Sequence, residues 1–245
     1  MALCAETIRM HRRIDECTIM RAIIYSEFGG PSVLQVAEVG EPHAGAGQVR
    51  LRVAAAGVNP FDAKVRSGAM QGMVPTKFPA IPGIDVAGTV DEVGAGVTGF
   101  AVGDEVLGWA QGGSYAEYAL ATDIAHKPAA LSWSQAAALP VAGETAIRGL
   151  NLLGARAGET LLINGGAGGV GTMAVQLAVL RGATVLGTSG PANHDYLRSL
   201  GAIPVAYGDG LDERVRALAP QGIDAVFDVA GKGALPDAIS PRSRR

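Results

Sequence analysis

Residues 160–172, TLLINGGAGGVGT, constrain the fold of this chain more than any other stretch. An apolar strand runs straight into a glycine loop, and the loop opens an amphipathic helix expected over residues 172–181. That order brings bare backbone and the unpaired N–H groups of a helix start to one point, which makes a cradle for phosphate. Gly166, Gly168 and Gly171 satisfy the spacing G-x-G-x-x-G. Spacing alone is weak evidence. Glycine supplies 35 of the 245 residues, so about 0.7 such matches are expected by chance. A second match at Gly94, Gly96 and Gly99 follows the strand-like residues 86–93 but leads into FAVGDEV, which has no helical period. It reads as a turn between strands. Only the first match has a strand before it and a helix after it, as a dinucleotide loop requires.

Hydrophobic residues are 48% of the chain and charged residues 18%, a balance that suits a folded enzyme and excludes a disordered chain. The net charge of -3 gives no support for nucleic-acid binding or a basic membrane-binding surface. Apolar runs are short and interrupted, so no membrane span is expected. Residues 1–19 hold Arg9, His11, Arg12, Arg13, Asp15 and Glu16 without an uninterrupted apolar stretch, which does not describe a secretory signal. The expected compartment is the cytoplasm. Both cysteines, Cys4 and Cys17, lie in that leader. A disulfide framework and a cysteine-ligated zinc in the body of the protein are therefore not expected. His11, His43, His126 and His194 are scattered without ligand spacing.

Four regions follow from the patterning. Residues 1–19 read as a poorly ordered extension. The fold proper begins at Met20, where apolar and β-branched residues start. Residues 20–143 are strand-rich: VRLRV at 49–53 alternates apolar and charged residues, and further strands are expected at 33–39, 84–93, 105–109 and 115–120. This half is expected to form a compact barrel. A helical stretch over 132–139 and a helix over 144–153 lead into the nucleotide strand. From there strands at 160–164, 183–187, 203–206 and 224–228 alternate with helices at 172–181, 193–200 and 211–218, which predicts a parallel α/β sheet over residues 144–239. Residues 240–245, SPRSRR, form a basic tail.

The second strand of that sheet bears on the cofactor. An acidic residue at its end would bind the ribose hydroxyls of NAD. Here the strand ends in Leu186, Gly187, Thr188, Ser189 and Gly190, and no Asp or Glu lies between Gly171 and Asp195. A carboxylate would repel a 2′-phosphate, whereas two hydroxyls and a glycine backbone can hold one. NADP(H) is expected over NAD; the other reading is that Thr188 and Ser189 are turn residues.

The order of these halves, with GVNPFD at 57–62, PGIDVAG at 82–88, GSYAEY at 113–118, LPVAGETA at 139–146 and GGVG at 168–171, resembles the medium-chain dehydrogenase/reductase superfamily, in its zinc-free quinone oxidoreductase or zeta-crystallin-like branch. The resemblance spans roughly residues 20–239. It implies an α/β protein with an N-terminal GroES-like β-barrel domain and a Rossmann-type parallel sheet domain. Zinc-dependent relatives carry a Gly-His-Glu triplet where this chain has Gly83, Ile84 and Asp85, so no metal is expected. The implied activity is hydride transfer from NADPH to a small-molecule quinone or α,β-unsaturated carbonyl.

By the same resemblance, Asn59 would lie near the nicotinamide, and Thr145, at the start of a helix, would contact the cofactor. Gly165, Gly166, Ala167, Gly168, Gly169 and Val170 would hold the pyrophosphate. Val229 and Ala230 would lie beside the nicotinamide ribose, and Tyr207 would flank the adenine. Read without the resemblance, Asn59 is also a turn residue before proline and Thr145 a helix-start residue. Two departures stand out. Relatives with quinone activity carry tyrosines at positions that fall on Lys64 and Met70; Lys64 is either a proton donor or cofactor contact or a solvated surface lysine. Relatives also continue for about half a domain more, so the sheet domain is expected to be incomplete, a truncated form with an exposed edge. Homo-oligomers of full-length relatives form through that edge and do not transfer to this chain. A non-catalytic NADPH-binding protein and an inactive fragment are the competing expectations.

Overall fold

A computed structural model describes residues 18–231. The expected disordered extension, apart from its last two residues, and the basic tail at 240–245 lie outside the described residues, as do both cysteines. The chain divides between Pro140 and Val141 into two compact units.

In the first unit, β1 (Ile19–Ile24) pairs antiparallel with β2 (Gln35–Gly40). The ordered fold begins earlier than Met20: Ile19 pairs with Gly40, and the Thr18 carbonyl accepts the Glu41 N–H at 2.9 Å. Four strands, β3 (Val49–Ala56), β4 (Asp85–Val93), β5 (Glu105–Gln111) and β6 (Tyr118–His126), close into an antiparallel barrel. Alternation fills it. Val49, Leu51, Val86, Val90, Val106, Ala119 and Ala121 form one core cluster. Ala87, one residue out of phase on β4, packs instead with Ala136 and Ala137 of α2 (Trp133–Ala137). Strand β6 starts later than the expected residue 115 because the preceding residues have another partner. The Tyr115 carbonyl accepts from Ile23 at 2.8 Å, and Glu117 donates to Arg21 at 3.1 Å. Their apolar pattern matches a strand, but they run beside β1.

One helix in this unit is absent from the sequence reading. α1 (Pro60–Arg66) carries Pro at its first position, and Asn59 and Asp62 form a capping box around it. Proline is preorganised there because its missing N–H would have no helical partner.

The second unit opens with α3 (Pro140–Leu153), which starts before the expected residue 144 because Pro140 occupies a helix start rather than a break. Thr145 consequently sits inside the helix, not at its start. Then follow β7 (Thr160–Asn164), α4 (Gly169–Leu180), β8 (Thr184–Ser189), α5 (His194–Ser199), β9 (Ile203–Ala206), α6 (Leu211–Leu218) and β10 (Ala225–Asp228). The four strands are parallel, in the order β10-β7-β8-β9. Leu161 and Ile163 face one core with Leu150, Val175 and Leu197, while Leu162 faces the other with Leu186, Val205 and Val215. Burial on both faces explains why β7 reads as an unbroken apolar run. The chain steps from β7 to β8 and β9 on one side and returns to β10 on the other. That reversal puts a crevice outside the carboxyl ends of β7 and β10, where open α/β sheets bind ligands.

Candidate functional site

The glycine loop after β7 is held by a polar network across three strand ends. Asn164 donates from Nδ2 to Asp228 Oδ1 of β10 at 3.0 Å. Thr188 of β8 donates from Oγ1 to Asn164 Oδ1 at 2.6 Å and accepts the Gly165 N–H at 2.9 Å. The Gly166 N–H reaches the Thr188 carbonyl at 2.9 Å. Asp228 also accepts the Ala230 N–H at 2.9 Å. Gly165 has φ +82°, which a side chain disfavours, and turns the loop toward the start of α4. A Cβ on Gly171 would collide with the Gly165 carbonyl and the Gly166 backbone, so the loop closes only over glycine. Gly168 is the N-cap of α4. The N–H groups of the first helical turn have no intrahelical acceptor, and they carry the positive end of the helix dipole.

Thr188 is buried, and its one hydroxyl proton is spent on Asn164. It shapes the loop and has no proton left for a phosphate. Thr188→Val keeps the volume and orphans Gly165 N–H and Asn164 Oδ1. A loss of about 1–3 kcal/mol is expected, read as a lower urea midpoint in equilibrium unfolding.

Below this loop lies a cavity of about 880 Å³, lined among others by Gly165, Ala167, Gly168, Ser189, Tyr207 and Ala230. Its size is that of a cofactor site. Thr188 and Gly190 also line it, whereas Gly166, Gly169, Val170, Thr145 and Val229 do not. Val229 donates its N–H to the Asn164 carbonyl at 3.0 Å and packs on the core. Tyr207 is 65% exposed. It stands in a loop fixed by Arg214, whose guanidinium donates to the carbonyls of Ala206, Gly208 and Asp209. The residues present fit a dinucleotide: a glycine cradle with no room for a Cβ at Gly171, free helix-start donors and a cavity at the sheet's switch point.

The first unit has its own polar cluster. Asn59 donates from Nδ2 to Asp85 Oδ2 at 2.9 Å. Asp62 Oδ2 accepts the Asn59 N–H at 2.8 Å and the Tyr115 hydroxyl at 3.1 Å. Gly83, at φ +96°, lies so close to Ser114 and the Tyr115 ring that a Cβ would overlap both. Burial raises the Asp62 carboxyl above its ordinary value, against the lowering effect of its two hydrogen bonds. Burial and the neighbouring Asp62 charge raise the Tyr115 phenol. Asp62 lines a second cavity of about 550 Å³. Lys64 is exposed on α1 and lines neither cavity. The sequence reading missed Asn164, Asp228, Asp62 and Tyr115. A polar residue ending an apolar strand, and an acid three residues after the Asn-Pro pair, were the signals available.

Among the described residues no group of three or more His, Cys, Asp or Glu side chains is placed to hold a metal. Nor is any helix among them long and apolar enough to cross a membrane. Residues 45–129 match the protein-family model for the alcohol dehydrogenase GroES-like domain, and residues 169–241 match that of the zinc-binding dehydrogenases. The chain is 40% identical over 196 residues to the chloroplast envelope quinone oxidoreductase homolog of Arabidopsis thaliana, covering 75% of this chain and 60% of that one. It is 38% identical over 227 residues to the chloroplastic NADPH-dependent alkenal/one oxidoreductase of the same plant, covering 86% and 58%. The solved structure of the quinone oxidoreductase from Coxiella burnetii superposes with a TM-score of 0.75 at 36% identity, covering 87% of this chain and 69% of that one. The chain thus spans about three fifths of the length of these curated relatives.

Proposed function

This chain belongs to the medium-chain dehydrogenase/reductase family, in its quinone oxidoreductase branch, and from that premise we propose that it transfers a hydride from NADPH to a quinone or an α,β-unsaturated carbonyl. One observation carries the reading: a glycine loop that packs backbone on backbone at Gly171, at the switch point of a parallel sheet, beside a cavity of about 880 Å³. In this reading the loop of Gly165, Gly166, Ala167, Gly168, Gly169 and Val170 seats the diphosphate on the N–H groups of Ala167, Gly169 and Val170, because those of Gly165, Gly166 and Gly168 are donated within the fold. Tyr207, which lines the cavity, would flank the adenine, and Ala230 would hold the nicotinamide ribose. Asn59 and Thr145 are the residues this reading assigns to the nicotinamide. The bound dihydronicotinamide supplies the hydride. The protein orients the reactants and excludes water. Loss of NADPH absorbance on adding para-benzoquinone or acrolein tests the activity.

The preference for NADPH rests on Ser189 and Gly190, which line the cavity where a carboxylate would otherwise stand. The Ser189 hydroxyl donates only to the adjacent Gly190 carbonyl, at 3.1 Å, a local bond that a phosphate oxygen can replace. A second reading, NADH as the working cofactor, is favoured by one observation. Among the described residues no Lys or Arg lines this cavity, whereas Asp209 and Asp212 do. Ser189→Asp separates the two. A carboxylate there should weaken NADPH about tenfold or more, a change of about 1.4 kcal/mol, while NADH is little affected. Equal effects in fluorescence titrations would remove the case for a 2′-phosphate at Ser189.

A further inference from the structure

The cavity of the first unit is lined mainly by apolar and backbone groups, including Tyr25, Phe61, Val65, Val74 and Ile81. Among the described residues Asp62 is the only carboxylate in its lining; Thr76 and the exposed Lys77 add further polar groups. A carboxyl group in such a wall needs a reason, because burying its charge is costly. Helix capping accounts for one oxygen. Oδ2 takes both hydrogen bonds, from Asn59 N–H and Tyr115 O–H. Oδ1 has no partner among the described residues. Asp62 as a whole is 7% exposed and lines the cavity, so what Oδ1 meets is the content of the cavity. An apolar enclosure with one hydrogen-bonding acid is the usual form of a site for a small, mostly apolar molecule bearing an oxygen.

We propose, resting on the reductase reading above, that this cavity takes the electron acceptor and that Asp62 is its proton donor, delivering the Oδ1 proton to the acceptor's oxygen. The atoms balance. A hydride and its electron pair add to the β-carbon of an enone, and the π electrons move to the carbonyl oxygen. That oxygen takes the Asp62 proton, and the resulting enol isomerises to the saturated carbonyl compound. Asp62 is left as a carboxylate and recovers a proton from solvent, so one NADPH and one proton are consumed per acceptor reduced. For a quinone, the same proton completes the hydroquinone. Tyr115 and Asn59 stabilise the carboxylate left behind, each donating to Oδ2. Burial favours the neutral, proton-bearing form beforehand. The other charged groups around the pair are Asp85, which Asn59 bridges, Arg66 on α1 and Lys77 in the cavity wall.

The test uses the full chain with NADPH and two acceptors, para-benzoquinone and acrolein, over a range of pH. Turnover requires the acid form of Asp62, so wild-type kcat should fall as pH rises through the Asp62 pKa. Asp62→Asn should lose about 10²-fold or more in kcat and lose that inflection, with NADPH affinity by fluorescence unchanged. The loss should be larger for acrolein, whose enolate is the more basic product and depends more on a proton. Tyr115→Phe keeps the ring and removes one hydrogen bond to the carboxylate, so the inflection should move to higher pH. This variant carries the test if Asp62→Asn does not fold. An Asp62→Asn chain with wild-type turnover and pH profile overturns the inference alone, as does an equal loss for both acceptors together with an unshifted Tyr115→Phe profile. A wild-type chain that binds NADPH but reduces neither acceptor overturns the reductase reading, and this inference with it.

Discussion

Gly168→Asp is expected to abolish cofactor binding while leaving the fold intact. Gly168 is the N-cap of α4, with φ -79° and ψ 173°, an extended conformation open to any residue. Its Cβ would approach only the Gly165 carbonyl oxygen, at 3.3 Å. Asp is also a favoured N-cap, better than Gly by a few tenths of a kcal/mol. The new carboxylate, however, would project at the donors that seat the diphosphate. Two like charges about 4 Å apart at an intermediate effective dielectric repel by about 4 kcal/mol, or roughly 10³-fold in Kd. Urea unfolding should give a midpoint close to wild type, and fluorescence titration should show no saturation with NADPH. A variant that bound NADPH normally would place the diphosphate elsewhere.

Gly171→Ala should do the reverse and damage the loop itself. Alanine in the first turn of α4 gains about 1 kcal/mol of helix propensity over glycine. Against that stands the overlap of its Cβ with the Gly165 carbonyl and the Gly166 backbone. Overpacking typically costs about 1–3 kcal/mol where side chains can shift. Here the neighbours are backbone, pinned by Thr188 through the N–H groups of both Gly165 and Gly166. The clash therefore wins. Stability should fall by about 2 kcal/mol, and NADPH affinity should fall with it because the N–H groups are displaced. Gly168→Asp separates binding from stability; Gly171→Ala loses both.

What was legible in the sequence divides along the range of the interactions. The β7-loop-α4 unit is local, and its strand, glycine spacing and following helix could be read directly. The start of α4 was placed at residue 172 rather than Gly169 because Gly169 and Gly171 depress helix propensity. Their task is close approach of backbone to backbone, and propensity does not register that. α1 was missed because a seven-residue helix is too short to show a period, although Pro60 and the Asn59/Asp62 pair marked its start. Thr188 was read as a ligand for phosphate because its position at the strand end is right. Only the contact with Asn164, 24 residues away, shows where its hydroxyl proton goes. Asp62 was passed over for Lys64, two residues on, since Tyr115 lies 53 residues further along the chain. Strand and helix identity followed from periodicity; side-chain commitments across the fold did not.

The central claim is that the loop from Gly165 to Gly171 seats the diphosphate of a nicotinamide dinucleotide on its backbone. Titration of the purified, folded chain with NADPH and with NADH, followed by nicotinamide fluorescence, addresses it most directly. The account predicts a saturable enhancement for at least one nucleotide, competed by inorganic pyrophosphate and missing in Gly168→Asp. A chain with the circular dichroism of a folded α/β protein and no saturable response to either nucleotide would contradict it.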